Sequence, residues 1–322
     1  MVTHFKYVLA LAFGAAGLAL AALATWVYLE SRALPDVRPL TDPERSFQIE
    51  VRGWDGQTVP FPVGPGNPHW TALDRIPDHL RKAVLAGEDF SFYGHRGVDW
   101  YEVYQSFRKN FRERRFARGA STISQQLAKN LFLSREKTIS RKVRELVLTR
   151  RLENTLTKDR ILELYLNVVE MGNMVYGVGQ GSRHHFGKGV SDLTIRESAF
   201  LAAMLPGPKV YDPLRNLDRV MNRSDHILGV MLKGKWITEE EYLEALVEIP
   251  YPYGGSESVA SGGKEQELPP EGIQEEISTL TPEQPHSAET ANDEALWPSG
   301  SRAGEEETYT GREGIVEIPV GE

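Results

Sequence analysis

The chain has no cysteine. Disulfides and thiolate metal sites are therefore excluded, while the compartment stays open. It also lacks an H-E-x-x-H or similar spacing of metal-ligating residues. His184 and His185 are adjacent, and adjacent residues on a helix do not face one ligand together. No internal repeat is visible, nor any alternation of strands with helices that would build a doubly wound sheet. Positive charge is scarce in only one place. Residues 251–322 hold sixteen Asp or Glu against three Lys or Arg, a net of −13. The whole chain is at −8, so the first 250 residues stand at +5. A mildly basic body suits a polyanionic partner such as phosphate, pyrophosphate or anionic lipid.

What is present is enough for one or two domains: 322 residues, 40% of them hydrophobic. Val8 to Leu29 is a run of 22 residues without a charge. As a helix it spans roughly 33 Å, enough to cross a hydrocarbon core. Trp26 and Tyr28 stand where an interfacial belt would be. Ala-rich sequence would also supply a signal-peptidase site, but the run exceeds an ordinary signal h-region, which favours a retained anchor. Lys6 before it argues for the amino terminus inside and the bulk of the chain outside. The expected organisation is a cytoplasmic residues 1–7, an anchor at 8–29, a Pro- and Gly-rich stalk or lead-in at 30–69, a helical domain at 70–249 and an acidic, disordered tail at 250–322. Short strands are expected at Phe47 to Arg52 and Gln57 to Phe61, around Asp55-Gly56.

The chemistry gathers first at Glu88 to Asp99. Pro77 suits a first helical position, and Leu80, Ala83, Val84 and Gly87 follow at i, i+3, i+4 and i+7. This apolar face ends at two adjacent carboxylates, Glu88 and Asp89, before a loop with Phe90, Phe92, His95 and two glycines. A carboxylate leaving an apolar helix end sits at the edge of a groove, where partial burial raises its pKa and readies it for proton transfer. The competing structural reading is a local ion pair of Glu88 with Arg81, Lys82 or Arg96.

A second helix is expected from Trp100 to about Arg115. There Arg108, Lys109, Arg112, Arg114, Arg115 and Arg118 surround Phe107, Phe111 and Phe116. Basic residues interleaved with Phe suit an anionic membrane surface, and nucleic acid is not expected of an exported domain. Gly119 to Asn130 then sets Ser121, Thr122, Gln125, Gln126, Lys129 and Asn130 at the start of a helix, an array of donors able to grip sugar hydroxyls and phosphate oxygens. The bland reading is a capped surface helix. Lys137, Arg141 and Lys142 precede Glu145, either as a cationic cradle with an orienting carboxylate or as a simple helical ion pair. Lys158 to Asn167 is a strong helix capped by Thr157, with Tyr165 and Leu166 as core. Helices are also expected at Ile195 to Leu205, at Leu217 to Lys233, and from Thr238 to about Val247 behind a capping box.

Four segments together resemble glycosyltransferase family 51, the peptidoglycan glycosyltransferases. E-D-x-x-F-x-x-H-x-G is matched by Glu88 to Gly97, and G-x-S-T-I-x-Q-Q-L-x-K-N by Gly119 to Asn130. R-K-x-x-E is matched by Arg141 to Glu145, and K-x-x-I-L-E-x-Y-L-N by Lys158 to Asn167. The resemblance covers about residues 70 to 235. It implies a mainly α, lysozyme-like domain behind a membrane anchor, and a monofunctional member without a penicillin-binding domain. The implied reaction is polymerisation of lipid II into glycan strands with inversion and release of undecaprenyl diphosphate, at the outer, periplasmic face of a bacterial inner membrane.

Carried over by residue, the resemblance makes Glu88 the general base and Glu145 the second motif carboxylate. Lys129, Lys137, Arg141 and Lys142 would stabilise the pyrophosphate leaving group. Ser121, Thr122, Gln125, Gln126 and Asn130 would line the donor side. Asp89, Phe92 and His95 join the substrate-binding set, although His95, with Asp99, also suits bracing of the loop. The implied partners are lipid II, the growing glycan strand, membrane lipids and other cell-wall synthesis proteins. Family members often depend on a divalent cation, yet no ligand set for one is legible. Lys137 departs from the Arg of many members, as does His184-His185 from the aromatic expected before Phe-Gly. Two other readings compete: a lytic hydrolase using Glu88 as an acid, which four cations do not favour, and an anchored, non-catalytic scaffold.

Overall fold

The computed structural model describes residues 2–113, 121–134, 138–248 and 250. Lys137 and the acidic tail lie outside them. Helix α1 (Val2–Arg32) extends the uncharged run at both ends, and Leu11–Arg32 is long and apolar enough to cross a membrane. Strands β1 (Phe47–Arg52) and β2 (Thr58–Val63) form an antiparallel hairpin that pairs Phe47 with Val63 and Arg52 with Thr58. Pro60 and Pro62 fall inside β2, which a two-stranded sheet tolerates because each strand has a free edge.

The segment read as a stalk is partly built into the globular body. Val37, Leu40 and Val63 are buried in the same core cluster as Leu80, Leu164 and Phe200. Sequence reading set these residues aside because Pro and Gly surround them. Three apolar residues over such a stretch carry no periodicity, and only their tertiary partners reveal them.

Helix α2 (Asp78–Glu88) buries Leu80, Ala83 and Val84 completely. Pro77 stands one place earlier than expected, at the N-cap. After α3 (Trp100–Glu113) come α4 (Ile123–Phe132), α5 (Ile139–Thr155) and α6 (Lys158–Val168), with α4 packed on both α5 and α6. A small hairpin of β3 (Glu170–Gly172) and β4 (Val175–Tyr176) leads to α7 (Val178–Phe186). Gly177 makes that turn at φ +79°, and a Cβ there would lie 2.5 Å from the Asn167 carbonyl oxygen, so only glycine fits.

Helix α8 (Ile195–Met204) is buried nearly all round and packs against α2 and against α9 (Pro213–Lys233). α9 starts four residues before the expected Leu217, behind an Asp212 cap, and kinks at Asn216. α10 (Glu239–Val247) opens with the expected capping box of Thr238 and Glu241. The end of α2 thus faces two neighbours at once, α9 from its own helical group and α4 from the other.

Candidate functional site

Glu88 is the last residue of α2, and its side chain is 8% exposed. None of the three local cations holds it. Arg81 and Lys82 both pair with Asp78, one turn earlier. The partners come from far along the chain. The Gln126 amide donates to Glu88 Oε2 at 2.8 Å, and Arg223 of α9 lies 3.2 Å from Oε1 while donating to the Gly87 carbonyl at 3.0 Å. Tyr165 donates its hydroxyl to Gln126 Oε1 at 3.1 Å, which fixes the amide with its NH2 toward the carboxylate. Burial pushes the Glu88 carboxyl above the usual glutamate range, against the pull of Gln126, Arg223 and Lys129. Burial and the nearby Glu88 and Asp89 charges push the Tyr165 phenol well up, so it stays a donor.

Asp89 turns the other way, into the fold. His95 Nδ1 accepts the Gly97 amide at 3.1 Å, so its Nε2 carries the proton and donates to Asp89 at 3.0 Å. The second Asp89 oxygen accepts the Ile123 amide at 2.9 Å, at the first turn of α4. An anion at a helix amino terminus is stabilised by the unpaired amides there. Phe92 is fully buried, with the Lys158 ammonium 4.3 Å from its ring centroid. Asp89, Phe92 and His95 therefore brace the loop and the start of α4, and His95 also lines the open hollow before α3. Asp99 does the same for α3, taking the Ser91 hydroxyl and, at 2.9 Å, the Glu102 amide.

Thr122 and Gln125 are also internal. They form a reciprocal capping box at the head of α4, and the Thr122 hydroxyl donates to the Gly97 carbonyl at 2.6 Å. Gly97 has φ +92°, and a Cβ would approach Thr149 Cγ2 to 2.7 Å, so the loop seats against α5 only through glycine. Both side chains are buried and engaged within the fold. Ser121 and Lys129 are exposed, and Asn130 is half-buried.

On α5 the buried Glu145 is gripped by Arg141 at 2.9 Å and by Lys142. The helical ion pair is thus present. It leaves the Lys142 side chain 45% and the Arg141 side chain 20% exposed, so both cations still reach solvent. Among the described residues no group of three or more His, Asp or Glu comes together as a metal site.

The Glu88 carboxylate is thus buried and held by two distant donors, with the Lys129 cation of α4 acting on it as well. The transglycosylase family profile matches residues 59–232, more than half of the chain. The chain belongs to the transglycosylase family. It is 46% identical over 160 residues to a biosynthetic peptidoglycan transglycosylase of Nitrosomonas europaea, covering 50% of this chain and 66% of that one. The protein of the same name from Nitrosospira multiformis is 44% identical over 162 residues, covering 50% of this chain and 70% of that one. Penicillin-binding protein 1A of Escherichia coli is 38% identical over 221 residues, 69% of this chain but 26% of its own length. This chain thus spans about a quarter of that relative and about two thirds of the two shorter ones.

The match begins at Val59, inside β2, so the transglycosylase region takes in part of the hairpin as well as the helical body. Two residues of the site escaped sequence reading. From the sequence Tyr165 reads only as core, and nothing marks Arg223. Arg223 sits 135 residues from Glu88 in a helix with no unusual composition, and no local signal marks it.

Proposed function

We propose that this transglycosylase polymerises the disaccharide units of lipid II into glycan strands. In this reading Glu88 takes the proton from the 4-hydroxyl of the acceptor sugar. The freed oxygen forms a bond to the anomeric carbon of the growing chain. The bond from that carbon to the pyrophosphate oxygen breaks with inversion, and its electron pair leaves on undecaprenyl diphosphate. A raised carboxyl pKa suits such a base, since efficiency is best when the catalytic pKa approaches the working pH. The leaving group needs charge neutralisation more than protonation. Lys129, Arg141 and Lys142 supply it, with Lys137 carried over from the family motif. Glu145 orients Arg141 and Lys142. Gln126 holds the base, while Ser121 and Asn130 remain the donor-side contacts.

The catalytic domain, residues 70–249 with its hairpin lead-in, works at the periplasmic face of the bacterial inner membrane. α1 is its single-pass anchor, with residues 1–7 in the cytoplasm. The exposed aromatics of α3, among them Phe107 and Phe111, rest on membrane lipids. Other cell-wall synthesis proteins are its further partners.

The observation that carries the reading is the Glu88 carboxylate, desolvated yet held by Gln126 and Arg223 and within the field of Lys129. The test is polymerisation of labelled lipid II by the detergent-solubilised chain beside Glu88→Gln. Long glycan from wild type and a rate about 10²–10⁴-fold lower in the folded variant is the expected result. Wild-type-like polymer from Glu88→Gln would refute the assignment. Cleavage of preformed glycan without polymerisation would make the protein a hydrolase.

A further inference from the structure

A second cationic hollow lies outside the machinery described above. The loop after α2, the start of α3 and one residue of α5 enclose a cavity of about 500 Å³, with Arg96 and Arg150 in its wall. Several arginines of this domain are matched: Arg81, Arg141, Arg144, Arg160 and Arg223 each pair with a carboxylate. Arg96 and Arg150 make no hydrogen bond or ion pair among the described residues, and both are exposed. They are 54 residues apart and share this cavity because Gly97 lets the loop close against Thr149 and Glu153 of α5. Asp99 also lines the hollow, but its oxygens already take the Ser91 hydroxyl and the Glu102 amide.

Two free guanidiniums on one cavity are a receptor for a phosphodiester or phosphate, which each fork can meet with paired N–H donors. The remaining wall says where that phosphate comes from. Trp100 and Tyr101 line the cavity while 74% and 51% exposed. Trp100 also begins a stripe on α3, continued by Tyr104, Phe107 and Phe111 at spacings of four, three and four, all exposed. Indole and phenol rings concentrate at the level of lipid headgroups. Arg151, the next residue along α5, donates to the Ser31, Leu34 and Pro35 carbonyls at the end of the apolar helix α1. The cavity therefore adjoins the aromatic stripe of α3, and the next residue of its α5 wall holds the end of α1.

We infer that the Arg96–Arg150 cavity binds the phosphate headgroup of an anionic phospholipid, with Trp100 seated at the headgroup level. The inference rests on the proposed membrane-facing role of α3 and names the lipid class and the residues that choose it. It is separate from the polymerase chemistry, which uses Glu88 and the α4–α5 cations.

The test is native mass spectrometry of the full chain in a non-ionic detergent, titrated with dioleoyl phosphatidylglycerol or dioleoyl phosphatidylcholine. Wild type is expected to retain phosphatidylglycerol at least tenfold more tightly than phosphatidylcholine. The double variant Arg96→Gln/Arg150→Gln should lose that preference. Trp100→Ala should weaken retention while keeping the preference. Circular dichroism of each variant checks folding, and Lys233→Gln, an exposed lysine at the end of α9, serves as a charge-loss control that should bind like wild type. Equal retention of phosphatidylglycerol by wild type and the double variant would overturn the inference, as would equal loss in the Lys233→Gln control. Displacement by millimolar glycerol 3-phosphate would overturn the lipid source and leave a soluble phosphate ester as the ligand. Lipid II polymerisation in the same detergent reports on the enzymatic reading independently, so either can fail alone.

Discussion

At the scale of single residues, the site is an arrangement of donors around one carboxylate. Arg223 and Gln126 each lower the Glu88 pKa, working against burial. Removing one leaves the desolvation in place, so the pKa moves further up. A general base works deprotonated, and its rate rises with pH through its pKa. Arg223→Gln should therefore shift the acid limb of the kcat/KM profile to higher pH. Arg223→Lys should shift it less, because the charge survives while the fork does not. An unmoved limb in Arg223→Gln would show that the arginine does not act on the base. This coupling was not legible in the sequence. Glu88 stood out because an apolar face ended on it, but its partners lie 38 and 135 positions away, beyond the reach of any local pattern. Of the local cations that the sequence offers instead, Arg81 and Lys82 are taken by Asp78, an i+3 and i+4 partner on the same helix.

At the scale of elements, α4 carries Gln126 and Lys129 to Glu88, and its position depends on its first turn. Thr122 caps it, Asp89 accepts its Ile123 amide, and Gly97 accepts the Thr122 hydroxyl. Thr122→Ala removes the cap and leaves the buried Gly97 carbonyl without that donor. A loss of about 1–2 kcal/mol in urea unfolding is expected. Polymerisation should fall with it, whereas Thr122→Ser should retain most of both. The T-x-x-Q spacing is itself a capping signature, so the cap is legible in the sequence as the capped-helix reading that stands beside the family motif. The helices themselves were legible to within a few residues from periodicity and caps, because α2, α6, α8 and α10 are each closed by local signals. The start of α9 was missed because its Pro213 and the Asn216 kink interrupt the period there. Glu145→Gln belongs to this scale as well. It frees Arg141 and Lys142 from a buried partner, so KM for lipid II should rise severalfold as the two cations lose their fixed orientation, measured with labelled substrate at constant salt.

At the scale of the whole molecule, the apolar helix is fastened to the same element that bears the cations. Glu30 pairs with Arg144 and accepts the Ser140 hydroxyl at 2.9 Å, and Arg151 holds three carbonyls just beyond. Arg151→Ala should leave the thermal midpoint within a few degrees of wild type. It should make trypsin cleavage at Arg32 severalfold faster, because the Ser31 to Pro35 segment loses its clamp. Unchanged cleavage would mean that the remaining Glu30 contacts suffice.

The fastening of α1 to α5 acts as a ruler. With α1 spanning a bilayer, the height of Arg141 and Lys142 above the lipid is set by a few rigid turns and not by a swinging tether. A substrate whose pyrophosphate is itself pinned to the interface then meets the cations at the correct altitude by lateral diffusion alone. Its effective concentration is a surface density. At fixed bulk lipid II, diluting the bilayer with inert lipid should slow the reaction in proportion to that density.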